Sequence, residues 1–345
     1  MNSRERFLAA LNKESPDRTP VFYQHLGGAK WVLQAAGLTM REGFHDPEKY
    51  ARICLKSREL FGFDNVMAGW GDLLTEAQAH GSTWKFPERD FYPRMDQYAV
   101  RELGGVDKLR PVEPREDPFW SVPIKAAEIM SKKIGREVGV VGGTISPFFV
   151  ATELRGYESL MMDLFEAPEV VESMIRVTLE SAKNYAEDIQ NAGVEAVFID
   201  DSGATGTLVS PEMAERFDVR YLKPLIDRFA QLGIRTIIHN DAQLPYLDMQ
   251  AATGPSCIHF SNDFVDLPEV FRKFGDKLSL MAGINQQDLI FRRSPDEVEG
   301  AVRSTIELSG GRSGLIISGG CEIPFKSPME NILRLREAVE KHGKA

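Results

Sequence analysis

Apolar positions along this chain fall into two alternating kinds of stretch. Short, nearly continuous apolar runs recur at 65–68, 138–142, 196–199, 236–238, 257–260, 278–282 and 315–318. Between them lie longer stretches whose apolar positions are three and four residues apart: 46–61, 124–134, 160–191 with a break near Pro168, 211–231, 244–252, 268–274, 295–308 and 328–341. The first kind predicts strands and the second amphipathic helices. Ahead of these, 3–12 and 25–36 read as helices and 19–23 as the first strand. Gly62, Gly193 and Gly233 stand where three of the helical stretches should stop.

Strand–helix units recurring about eight times predict an α/β fold, a (β/α)8 TIM barrel formed as one domain over 1–345. The strand runs are apolar throughout rather than alternating, as in a parallel sheet covered on both faces. An open doubly wound sheet would give similar runs, but it usually carries a glycine-rich phosphate loop after its first strand. Gln24-His25-Leu26-Gly27-Gly28 is not such a loop. The stretch 69–118 breaks the alternation, with Trp70, Trp84, Phe86, Phe91 and Tyr92 spread among Pro, Gly and charge. It predicts an N-terminal excursion with short strands, either a lid over the barrel mouth or plain surface packing.

Barrel chemistry concentrates at the C-terminal ends of the strands. There the chain delivers Tyr23, Gln24 and His25; Trp70, Asp72 and Glu76; Thr144 and Ser146, with Glu153 further on; Asp200, Asp201 and Ser202; His239, Asn240 and Asp241; Ser261, Asn262 and Asp263; Asn285 and Gln286; and Cys321 and Glu322. This rim is rich in carboxylates and poor in Lys and Arg. It suits a cation, a metal or an uncharged polar ligand better than a polyanion.

His239, Asp241 and Cys321 form the sharpest set. Imidazole, carboxylate and thiolate all bind zinc, and three protein ligands with one open position describe a catalytic zinc. The same residue types also fit hydrogen-bonding rim positions and, for Cys321, a small buried hydrophobe. Asp200 and Asp201 read as a general acid/base or a clamp on substrate, or one of them as the cap of the following turn. Glu153 joins them as a catalytic candidate. Tyr23, His25, Trp70, Glu76 and Asn285 are candidate substrate contacts. His259 lies inside a strand and reads as a core or hydrogen-bonded histidine; Cys54 reads as helix packing, and Cys257 sits at the wrong end of its strand for chemistry.

Composition narrows the class. The hydrophobic fraction of 43% supports a large core, and the net charge of -10 argues against nucleic acid and anionic membranes as partners. Three cysteines without CxxC spacing, and an N-terminus lacking an apolar signal core, suit a reduced cytoplasmic protein. No apolar run approaches the roughly 20 residues that span a bilayer.

Two stretches resemble a known family. Ser15-Pro16-Asp17-Arg18-Thr19-Pro20-Val21 resembles the Pro-Asp-Arg-x-Pro opening of the uroporphyrinogen decarboxylase superfamily. Gly319-Gly320-Cys321-Glu322-Ile323-Pro324, followed by Ser327-Pro328-Met329-Glu330-Asn331-Ile332, is similar to its C-terminal signature. The resemblance runs over nearly the whole chain and implies the same barrel. The decarboxylase branch carries an arginine-rich element after the first strand, and here 23–28 has no arginine. The other branch, the corrinoid-linked methyltransferases, implies a zinc held by His-x-Cys and a later Cys, which fall on His239, Asp241 and Cys321. Asp241 departs from that pattern. A carboxylate in place of a thiolate makes zinc more Lewis acidic and suits the oxygen of a methyl ether or alcohol. The resemblance therefore implies a methyltransferase acting between a small methylated substrate and the cobalamin-type corrinoid of a partner protein, with a homodimer left open. A tetrapyrrole decarboxylase and a non-catalytic small-molecule-binding barrel are the alternatives.

Overall fold

The computed structural model describes residues 1–24, 26–69, 75–87 and 92–344. Its strands are β1 (Asn65–Ala68), β2 (Thr83–Lys85), β3 (Arg94–Gln97), β4 (Gly139–Ile145), β5 (Ala196–Asp200), β6 (Arg235–Asn240), β7 (Cys257–Ser261), β8 (Ser279–Ile284) and β9 (Leu315–Gly319). β2 and β3 form an antiparallel hairpin. The other seven make one parallel sheet in chain order, each neighbour joined by a helical crossover.

The expected first strand, 19–23, is not a regular strand among the described residues. It makes a single parallel bridge to β9, Val21 to Ile317. The Phe22 amide donates to the Ile317 carbonyl at 2.8 Å, and the Ile317 amide to Pro20 at 3.0 Å. On its other side the segment meets β1 largely through side chains: Asp64 accepts the Val21 amide at 2.8 Å, and Asn65 brackets Tyr23. Pro20 lacks an amide hydrogen and the contacts with Asp64 and Asn65 replace ladder bonds, so an eighth strand of the predicted kind does not form.

The sheet curls. Side chains from its inner face, Met67, Val141, Phe198, Ile237, Met281 and Ile316, meet in one cluster with Phe22. The N-terminal helix Ser3–Leu11 closes this cluster from below through Phe7, Ala10 and Leu11. A larger apolar layer fills the space between the sheet and the outer helices.

Local chemistry explains the helix ends. Asp46 caps Pro47–Phe61 by accepting from Glu48 and Lys49, and Gly62 ends it at φ 69°, where a side chain would be strained. Pro168 separates Tyr157–Glu166 from Pro168–Asn191. The helices Met40–Phe44, Thr75–Ala79 and Pro147–Arg155 lie outside the predicted elements; Ser146 caps the last and Pro147 occupies its first turn. Its Phe148-Phe149-Val150-Ala151 run is continuous, which hides the helical period.

In the excursion, the described part holds the short helix Thr75–Ala79, the β2–β3 hairpin and the turn Leu103–Lys108. Trp84 and Phe86 pack on Phe44, with ring centroids 5.0 and 5.3 Å away. These two rings therefore pack against the helix Met40–Phe44. Among the described residues no helix is long and apolar enough to cross a membrane.

Candidate metal centre

Strand alternation sets the first ligand. Ile237 lies on the inner face of the curled sheet, so His239, two residues on, does as well. β6 runs one residue past it, further than the apolar run alone predicts. In register, His239 lies opposite Asp200 on one side and His259 on the other. Its imidazole packs in a triangle of rings with Phe198, at 5.0 Å, and His259, at 4.6 Å, which themselves lie 5.5 Å apart. Asp241 follows just past the strand.

The third residue arrives from the loop after β9. Gly320 donates its amide to Ile284 at 2.8 Å, and a Cβ on Gly283 would lie 2.3 Å from the Gly320 Cα. Only glycines permit this backbone approach. It delivers Cys321 to the mouth: ligand atoms of His239, Asp241 and Cys321 all lie within 4.8 Å of one another.

His239 is fully buried, and neither ring nitrogen has a hydrogen-bond partner among the described residues. Its Nε2 lies 3.8 Å from the Asp241 carboxylate, which the Ser202 hydroxyl reaches at 3.1 Å. Burial raises the Asp241 carboxyl, but His239, the Cys321 thiol and Ser202 outweigh it and hold it below its usual range. Burial, then the Asp241 and Asp200 charges, push the Cys321 thiol well up. Asp200 is raised by burial, opposed by His239 and reinforced by Asp241. An unpartnered imidazole beside a carboxylate and a thiol is costly by itself and becomes satisfied around a cation. The nitrogen, oxygen and sulfur donors fit zinc.

Other predicted residues fall elsewhere. Asp201 is fully buried behind the strand end. It accepts from Gln250 Nε2 at 2.7 Å, donates its amide to His239, and is pushed up to about 6, chiefly by burial. It braces β6 and cannot meet a substrate. Tyr23 is likewise core: its hydroxyl donates to Gly27 and its ring packs on Phe61 and Phe63. Glu76 is 5% exposed, with its carboxylate on the Thr144 hydroxyl. Asn285 spends its side-chain oxygen capping the turn Gln286–Ile290. His25 and Trp70 lie outside the described residues. Glu153 is half-buried on the helix Pro147–Arg155. Two contributors were not singled out from sequence as parts of the site. His259 supports His239, and Tyr157 follows Glu153 by four residues; that helical spacing was the available signal.

The chain is similar to known proteins over nearly its whole length. The family model described as uroporphyrinogen decarboxylase (URO-D) matches residues 2–342. A methylcobamide:CoM methyltransferase MtbA of Methanosarcina mazei is 23% identical over 340 residues, covering 98% of each chain. A uroporphyrinogen decarboxylase of Geotalea daltonii is 24% identical over 348 residues, covering 97% of this chain and 98% of that one. Among solved structures, a methyltransferase from Methanosarcina mazei superposes with a TM-score of 0.89 at 21% identity, over 99% of both chains. With the match running almost from end to end, the chain belongs to the uroporphyrinogen decarboxylase family.

Proposed function

We propose that this protein is a methyltransferase that moves a methyl group between a small methylated substrate and the cobalt of a corrinoid carried by a separate protein, with zinc on His239, Asp241 and Cys321. The observation that carries this reading is the buried, unpartnered His239 imidazole converging with a carboxylate and a thiol at the sheet's C-terminal edge. The methylcobamide:CoM methyltransferases among its relatives support the corrinoid partner. The curled sheet and the 20–23 segment that touches both its edges together act as the (β/α)8 barrel.

When bound, zinc supplies Lewis acidity toward the substrate heteroatom. The chain does the rest. Phe198 and His259, in contact with each other as well, pack against the His239 ring and hold it in place. Ser202 fixes one Asp241 oxygen. A ligand set with one thiolate and one carboxylate favours hard oxygen donors over a thiolate nucleophile.

The uroporphyrinogen decarboxylases among the relatives favour a second reading, decarboxylation. A porphyrinogen carries many carboxylates, and the 23–28 stretch offers no arginine to meet them. The deciding experiment is metal analysis of protein purified without added metal, with methyl transfer to cob(I)alamin from methyl ethers, methanol, methylamines and methylthiols. Roughly one zinc per chain and chelator-sensitive transfer are expected. Metal-free protein that turns over uroporphyrinogen would overturn the proposal.

A further inference from the structure

Beside the metal centre, the helix Pro147–Arg155 presents a face that the chemistry above does not use. Phe149, Glu153 and Tyr157 are spaced four apart, so the first two share one helix face and the third continues it across the Gly156 bend. The face is turned toward the loop after β5: a Cβ on Gly203 would meet the Phe149 Cα and Cβ at 3.3 and 3.2 Å. Gly203 follows Ser202, the residue that hydrogen-bonds Asp241. The Tyr157 ring stands edge-on to Phe149 at 6.1 Å and feels the charges of both Glu153 and Asp200. Tyr157 is thus near both Glu153 and the end of β5, where Asp200 lies opposite His239.

We propose that Glu153, assisted by Tyr157, is the acid that protonates the departing oxygen, and that the methyl donor is accordingly a methyl ether. This inference rests on the methyltransferase reading. The step balances as follows: the C–O bond of the ether breaks and its electron pair stays on oxygen. The electron pair of the reduced corrinoid cobalt forms the new bond to the methyl carbon. The Glu153 proton passes to the oxygen, giving an alcohol or phenol, and Glu153 takes a new proton from water. An ammonium donor would leave as a neutral amine and need no such proton.

The surroundings of Glu153 fit the role. Burial alone pushes its carboxyl up to about 7, and among the described residues no lysine or arginine offsets this. The elements packed on its helix are Thr75–Ala79 with Glu76, Glu215–Val219 with Asp218, Tyr157–Glu166 with Tyr157, and the long helices Pro168–Asn191 and Arg220–Gln231, whose arginines do not act on Glu153; Asp200 lies at the end of β5. Glu76, Asp218, Tyr157 and Asp200 are all acids, so none supplies the cation that would hold Glu153 ionised through a salt bridge. A carboxylic acid that keeps its proton near neutrality is matched to protonating an alkoxide or phenolate.

The test uses the full-length zinc protein, cob(I)alamin as acceptor, and methoxybenzenes whose parent phenols span a range of acidity. In the wild type, transfer should fall as pH rises through about 7. In Glu153→Gln that limb should vanish, and the rate should drop about 10²–10⁴-fold for the least acidic phenol, less as the phenol becomes more acidic. Zinc content and melting temperature should stay at wild-type values, and Glu153→Asp should restore the pH limb. An equal loss across the series, an unchanged limb in Glu153→Gln, or a preference for methylammonium donors would overturn the proposal. If the wild type uses no donor at all, the methyltransferase reading itself fails. A ¹³C NMR titration of carboxyl-labelled glutamate, assigned through Glu153→Gln, then judges Glu153 separately: titration in the ordinary glutamate range excludes it as the acid.

Discussion

The imidazoles of His239 and His259 lie stacked, 4.6 Å between centroids and 26° between planes, on paired positions of adjacent strands. His259 also reaches the carbonyl of Gly319 through Nε2 at 2.9 Å. A carbonyl only accepts, so Nε2 carries the proton. Burial, with the His239 charge behind it, holds the His259 pKa well below the ordinary histidine range, so the ring is neutral at physiological pH. One uncharged ring therefore links the strand that carries His239 to the strand that leads to Cys321.

From this follows the first prediction. His259→Phe keeps a flat ring against His239 but removes the bond to Gly319, while Ser318 still donates to that carbonyl. Zinc affinity measured by chelator competition should fall about tenfold, the low end for residues that orient metal ligands. Wild-type affinity in this variant would show that the stack, and not the hydrogen bond, places the two strands.

Asp241 is the residue that separates this ligand set from the thiolate-rich pattern the family resemblance implies. Asp241→Cys should hold zinc more firmly against a chelator and, with cobalt(II) in place of zinc, add thiolate-to-metal absorbance. Transfer from methyl ethers should fall, because a second thiolate reduces Lewis acidity. Cys321→Ala should remove most metal affinity. Retained zinc in that variant would mean that the ligands lie elsewhere.

How far the sequence anticipates the molecule depends on what decides each feature. β1 matches its predicted range because a strand covered on both faces must be apolar along its length. His239, Asp241 and Cys321 could be grouped because strand ends fix which residues share the barrel mouth. Tyr23, Asp201 and Glu76 could not be placed. Each is polar and lies at or beyond the end of a predicted strand, but Phe61, Gln250 and Thr144, distant in sequence, help to bury it. The helix around Glu153 was hidden by the continuous apolar run beside it. Its signal was the cap, Ser146 with Pro147 after it.

The Pro-Asp-Arg-x-Pro opening has a physical role. Asp64, fully buried at the start of β1, accepts from Arg6 at 2.9 Å, from both Arg18 nitrogens at 2.9 and 3.0 Å, and from the Val21 amide. Asp17 takes the rest of the Arg6 guanidinium. These bonds hold the 20–23 segment between the sheet edges. Asp64→Ala leaves the largely buried Arg18 guanidinium without its carboxylate and Arg6 with Asp17 alone, and should cost roughly 3–5 kcal/mol in urea unfolding followed by tryptophan fluorescence. Asp64→Asn, which still accepts the Val21 amide, should lose less.

Glu76 makes stability depend on pH in a specific direction. Burial pushes its carboxyl up to about 7, only partly opposed by the Thr144 hydroxyl and backbone bonds. The folded-state value lies above the unfolded one, so the folded protein binds the proton more tightly. Its stabilising contribution is complete below the ordinary glutamate pKa of 4.5 and is lost as pH rises to about 7. The full change is on the order of 3 kcal/mol. Glu76→Gln keeps an acceptor for Thr144 and carries no titrating proton. It should match the wild type in acid and be more stable above neutrality, giving a flatter curve of unfolding free energy against pH. A wild-type curve that rises between these values would show that Glu76 is ionised in the folded protein and has a cationic partner.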